Sequence, residues 1–123
     1  MHAVIQSETF LADCRNAGLS EDEIFRMVWA ISNDPLSGDL IPGTGGARKR
    51  RFAGRGNKGK SAGYRTVSYY AGDDVPILMI GLIDKGERAN LSHAERNAVR
   101  VELAGYAQDY RARKRVRKMK DAP

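Results

Sequence analysis

The sequence predicts an α+β domain: a small, mainly antiparallel sheet with a pair of helices from the N-terminal end packed on one face and a further helix at the C-terminal end. Three observations carry this. Helical periodicity is confined to the two ends of the chain. The middle holds β-branched and aromatic runs separated by glycine-rich turns. Ser20 with Glu23, and Ser92 with Glu95, have the spacing of capping boxes, in which each side chain satisfies a free amide at a helix start.

Taken in order, His2 to Ile5 reads as a short first strand, and Ser7 or Thr9 caps a helix through Asn16 whose inward face is Phe10, Leu11 and Cys14. Gly18 ends it. From Ser20, the residues Ile24, Met27, Val28 and Ile31 recur on one helical face. Asn33-Asp34-Pro35 stops this second helix, because the residue before a proline is pushed out of helical geometry. The short connection makes the two helices an antiparallel pair. Pro35 to Gly46 reads as a loop, Ala47 to Phe52 as a cationic strand, and Gly54 to Gly63 as a second loop. Tyr64 to Ala71 is a polar-faced strand, and Gly72-Asp73-Asp74 turns the chain into Val75 to Asp84. That run is apolar at successive positions and so reads as a strand covered on both faces. The last helix opens at Ser92 and carries Val99, Leu103, Tyr106 and Tyr110 at helical spacing. It either packs on the sheet or swings away from it. Arg111 to Lys120 adds seven cations in ten residues, a composition expected of a solvated helix end.

With 123 residues the chain suits one domain, expected over residues 1–110 with a basic tail over 111–123. A net charge of +6 favours a nucleic acid or an acidic protein as partner. The lone Cys14 excludes an intramolecular disulfide and a multi-cysteine zinc site, which fits a reducing compartment. The first residues lack a signal peptide's basic start and long apolar run, and Val75 to Ile83 is too short to span a bilayer. A soluble, cytoplasmic protein is the expectation.

The chemistry is expected in Gly43 to Tyr70, which holds eight cations among clustered glycines and no acid. Charge this dense cannot all be buried or paired locally, so it faces solvent and attracts a polyanion such as a phosphate backbone. Gly54 to Ser61 matches the phosphate-binding loop GxxxxGK[ST], but that loop needs a strand before it and a helix after it. Here Tyr64 to Tyr70 follows as a strand, so nucleotide hydrolysis is set aside. Neither histidine belongs to a ligand cluster, and no metal or other cofactor is expected. His93, in the first turn of the last helix, is either an exposed polar residue or a proton-transfer group.

Arg48, Lys49, Arg51, Lys58, Lys60, Arg65, Lys85 and Arg88 lie over strand ends and adjacent loops, where cations suit phosphodiester chemistry. RNA carries its own nucleophile, the 2′-hydroxyl. A protein therefore cleaves it by positioning one phosphate, stabilising charge on its oxygens and helping protons move, without needing a metal.

Three blocks, Gly43-Thr44-Gly45-Gly46-Ala47-Arg48-Lys49-Arg50-Arg51, Gly59 to Tyr70, and Asp84-Lys85-Gly86-Glu87-Arg88-Ala89-Asn90-Leu91-Ser92, resemble the RelE/HigB-type toxins of bacterial type II toxin–antitoxin modules. The resemblance runs in order from about Phe10 to Ala107. It implies a microbial-ribonuclease-like fold and ribosome-dependent cleavage of messenger RNA that inhibits translation, neutralised by a cognate antitoxin protein. Its partners would be that antitoxin, the ribosome and messenger RNA, with no membrane. Arg65 matches the family's phosphate-clamping arginine, Arg48, Lys49 and Arg51 its basic strand, and Lys58 and Lys60 its loop lysines. The catalytic set expected is Arg65, Arg48, Lys49, Lys60 and His93, with Arg51, Lys58, Tyr64, Tyr70, Lys85 and Arg88 binding RNA. Three positions depart from the family pattern. Ile83 stands where many relatives have an aromatic residue, Gly86 where some have arginine, and Arg50 where an apolar residue is usual. The first two leave His93, Tyr64, Tyr69 and Tyr70 as alternative proton-transfer groups. A gyrase-directed toxin of the same superfamily and a non-catalytic RNA-binding or regulatory module are the rival readings.

Overall fold

The computed structural model describes residues 2–53, 63–84 and 90–121. They form β1 (Val4–Gln6), α1 (Glu8–Asn16), α2 (Glu21–Asn33), β2 (Asp39–Leu40), β3 (Arg48–Phe52), β4 (Tyr64–Tyr69), β5 (Ile77–Asp84) and α3 (His93–Asp121). The strands make one sheet in the order β1-β5-β4-β3-β2. Its pairings are antiparallel except for β1, which runs parallel to β5. The predicted α+β class and mainly antiparallel sheet are what the chain adopts.

The helix starts follow local chemistry. Ser7 is the cap of α1, its Oγ accepting the Phe10 amide at 3.0 Å. Ser20 and Glu23 form the expected box on α2, and Ser92 and Glu95 form its counterpart at α3, with Ser92 N donating to Glu95 Oε1 at 2.8 Å. Each such cap contributes about 1 kcal/mol.

Two apolar clusters sandwich the sheet. On one face, Phe10 and Cys14 of α1 and Met27 and Ile31 of α2 meet Tyr64, Ile77, Met79 and Leu82. On the other, Val99 and Leu103 of α3 meet Ala47, Val67, Leu78, Ile80 and Ile83. Of the two placements the sequence left open for the last helix, packing on the sheet is the one found.

A bulge explains how β5 serves both clusters. Val67 opposes Gly81 but Ser68 opposes Met79, so Ile80 is the extra residue. Strand alternation therefore slips by one there. Ile77 and Met79 share a face with Leu82, and Leu78 and Ile80 share the other with Ile83. Beyond Met79 the short β1 offers no ladder partner, and α1 takes its place. Ser7 Oγ donates to the Ile80 carbonyl at 3.0 Å, and Asp13 Oδ2 accepts the Leu82 amide at 3.0 Å.

Some boundaries differ from expectation. The first strand begins at Val4 rather than His2, because His2 is held elsewhere: its amide donates to the Ser32 carbonyl, and Ser32 Oγ donates to the His2 carbonyl at 2.6 Å. The expected loop Pro35 to Gly46 contains the short β2. It closes onto β3 through Ile41 N to Ala47 O at 2.8 Å and through buried Thr44, whose Oγ1 accepts the Ala47 amide and donates to the Ile41 carbonyl. Gly38 is required in this loop: its φ is +99°, and a Cβ there would run into the Lys49 carbonyl oxygen. The strand expected to be polar-faced, β4, is instead interior and largely buried, with Thr66 fully inaccessible. α3 continues without a break through the basic residues, held by a bidentate ion pair of Arg111 with Asp74 at 2.6 and 2.8 Å.

Candidate nucleic-acid interface

Alternation along β3 divides its four consecutive cations between the two faces of the sheet. Phe52 and its partner Tyr64 belong to the cluster under α1 and α2, so Arg50 and Arg48 face that way as well. Both are engaged with backbone. Arg50 lies 5.1 Å over the Phe52 ring and donates to the Ala30 carbonyl of α2 at 3.2 Å. Its stem thus covers apolar surface while its head closes a helix carbonyl, which is how a cation serves at a position where an apolar residue is usual. Arg48 donates to the Leu36 and Gly38 carbonyls at 3.2 and 3.1 Å.

Lys49 and Arg51 occupy the opposite face, the one that α3 covers in part. Arg51 is directly opposite Arg65 on β4, and Arg65 is opposite Ile83 on β5. In the next row of that face Asp39, Lys49 and Val67 stand side by side. Lys49 reaches the start of α3, its Nζ donating to Asn90 Oδ1 at 3.2 Å. Arg51, Arg65 and Lys49 therefore form a cationic group on one rigid surface. Arg51 is exposed, while Arg65 and Lys49 are half-buried.

The remaining sequence candidates separate. Tyr64 is buried under the helix pair, and Tyr70 packs on the same side, its hydroxyl donating to Asp73 and its ring meeting His2 edge-on. The Asp73 contact and burial raise the Tyr70 hydroxyl above its ordinary pKa. Tyr69 faces α3, against Tyr106. His93 is exposed three residues after Asn90. Lys58, Lys60, Lys85 and Arg88 lie outside the described residues.

Sequence reasoning missed Arg96 and Asn90. Arg96 precedes Val99 and Leu103 by three and seven residues, on the face of α3 turned to the sheet, and among the described residues its buried Nε has no hydrogen-bond partner. Helical spacing from Val99 was the available signal. Among the described residues no group of three or more His, Cys, Asp or Glu could hold a metal ion.

Two guanidinium groups and an ammonium on a fixed sheet form a surface for a phosphate group. Arginine's planar fork can meet two phosphate oxygens at once, and lysine adds a compact charge beside it. A cationic α+β domain with two arginines and a lysine on one face of its sheet is the class of protein these features define. A family model described as the RelE toxin of the RelE/RelB toxin–antitoxin system matches residues 2–122. The chain belongs to that family and is a toxin of a toxin–antitoxin module, with an antitoxin as its implied partner. Among the described residues no helix is long and apolar enough to cross a membrane.

Proposed function

We propose that this toxin is a ribosome-dependent messenger-RNA endoribonuclease of the cytoplasm, acting without a metal. The observation that supports it is the direct opposition of Arg51 and Arg65 on adjacent strands, with Lys49 in the neighbouring row of the same face. Arg65 grips the scissile phosphate, and Arg51 and Lys49 hold its neighbours and offset the charge that grows on the phosphoryl oxygens in the transition state. The 2′-hydroxyl of the preceding nucleotide attacks phosphorus and loses its proton as the P–O5′ bond breaks. The leaving 5′-oxygen gains a proton, giving a 2′,3′-cyclic phosphate and a 5′-hydroxyl. His93 and the cations Lys60, Lys58, Lys85 and Arg88 are proposed to complete the site by assisting proton transfer and holding the strand. Placing the message on a ribosome supplies the alignment that a small open surface cannot impose alone.

The test is cleavage mapping on purified translating ribosomes with and without the protein. Breaks confined to ribosome-bound message, with 5′-hydroxyl ends, are expected. Intact message at saturating folded protein rejects the proposal.

A further inference from the structure

The distal half of α3 is a second cationic surface. Tyr106, Tyr110, Arg113, Lys114, Arg117 and Lys118, together with Ile5 of the edge strand β1, line a cleft of about 600 Å³. Tyr106 also packs against the cluster beneath the proximal half of the helix, and the other lining residues do not belong to that cluster. The four cations are exposed, and among the described residues none of them is within ion-pair distance of a carboxylate. A terminal basic run ordinarily frays, and its charge is then spread over many conformations. Here the helix is anchored at the point where the run begins. The Arg111–Asp74 ion pair and the Tyr106 hydroxyl, which donates to the Pro76 carbonyl at 2.8 Å, tie α3 to the segment between β4 and β5 where the run begins. The repeat of Arg113 with Arg117, and of Lys114 with Lys118, places the cations as two i,i+4 pairs along one side of the helix. Like charges so arranged repel one another and disfavour the helix unless an anion lies across them.

We infer that this cleft binds an unpaired RNA segment, with phosphates along Arg113, Lys114, Arg117 and Lys118 and a base against the Tyr110 ring. Cations beside a half-buried aromatic are the pairing that single-stranded nucleic acid uses, because the backbone follows charge and every base presents a face for stacking. An acidic protein segment would use the charge but leave Tyr110 without a stacking role. The site is apart from the Lys49, Arg51 and Arg65 group and works as an anchor: it raises the residence of RNA on the toxin without touching the scissile phosphate. The inference rests on RNA being the target, as proposed above, but its test does not require cleavage.

The experiment measures binding of a 2′-O-methyl oligoribonucleotide of about twelve nucleotides, which lacks the attacking hydroxyl and stays intact. Wild type is compared with Arg113→Gln/Arg117→Gln and with the charge-matched Arg15→Gln/Arg26→Gln, whose residues are exposed on α1 and α2. Circular dichroism confirms that all three are equally helical. Losing two phosphate contacts should lower the log–log salt slope by about 1.4 and weaken binding on the order of tenfold near 0.1 M salt. The control pair should lose far less, and Tyr110→Ala should weaken binding further while Tyr110→Leu, which keeps apolar bulk, should not restore it. Equal losses in the two double variants would reduce the effect to net charge and overturn the site. So would binding of poly-glutamate to wild type in preference to the oligonucleotide. If Arg113→Gln/Arg117→Gln binds normally while Arg65→Ala abolishes cleavage, the anchor is rejected and the cleavage proposal stands. If the anchor behaves as expected but no condition yields cleavage, the opposite holds.

Discussion

Arg51 and Arg65 face each other directly across β3 and β4, so two guanidinium groups share one face of the sheet. Like charges in direct cross-strand register are destabilising, by a few tenths to about 1 kcal/mol. Arg51→Thr, which suits a strand but removes one of the two cations, is expected to change the melting temperature little and to lower cleavage of ribosome-bound message. Full cleavage activity in a folded Arg51→Thr would remove Arg51 from the site.

Arg65→Ala should cost on the order of 100-fold or more in cleavage rate, the usual loss when one preorganised donor to a developing oxyanion is removed. Arg65→Lys should recover only part of it, since the charge returns without the fork. Single-turnover cleavage beside thermal melting separates this from a folding defect; full activity in a folded Arg65→Ala would remove the residue from the site.

Arg48→Ala should show the reverse pattern. Its hydrogen bonds go to the Leu36 and Gly38 carbonyls on the other side of the sheet. A stability loss of about 1 kcal/mol is expected, with cleavage per folded molecule close to that of wild type. A large rate loss at unchanged stability would place Arg48 with Arg65 in function despite the geometry.

Arg96→Gln tests the Nε that has no hydrogen-bond partner among the described residues, on the sheet-facing side of α3. Cleavage or RNA affinity should fall several-fold while stability stays level or rises, because a buried donor without an acceptor costs about 1–3 kcal/mol. A simple loss of stability would make Arg96 a packing residue.

Acid should loosen α3 where it meets the β4–β5 turn. Hydrogen bonding to Arg111 lowers Asp74 from 3.8 to about 2. A depressed carboxylate stabilises the fold above its unfolded pKa, and that contribution fades as the pH falls from about 4 toward 2. Melting curves of Asp74→Asn should lie below those of wild type above pH 4 and converge with them near pH 2. Parallel curves across that window would mean that the ion pair adds nothing.

Local signals carried most of the fold into the sequence. Ser7, Ser20 with Glu23, and Ser92 with Glu95 act over three or four residues, so each helix start could be read from its own neighbours. The bulge at Ile80 could not, because it depends on Ser7 and Asp13 supplying partners from α1. Nor could β2, which exists through pairing with Arg48 and Lys49. The site was half legible. Phe52 is apolar and must face a core, so counting back by twos assigns Arg50 and Arg48 to its side and Arg51 and Lys49 to the other; grouping Arg48 with Lys49 by composition ignored that count. Arg96 escaped because it is far from the basic block in sequence.

The parallel pairing of β1 with β5 has a consequence for how the toxin comes into being. Ile77 follows its partner Val4 by 73 residues, which at roughly 5–20 residues per second takes some seconds of synthesis. Until β5 emerges, Phe10 and Cys14 lack the strand on which they pack, and β4 lacks its inner neighbour. A nascent chain already bearing Arg51 and Arg65 therefore has no rigid sheet to aim them. Synthesis interrupted before Ile77 should leave a harmless fragment, so, on the proposed activity, a cell making this protein gains an interval in which the growing chain cannot cleave the message being translated.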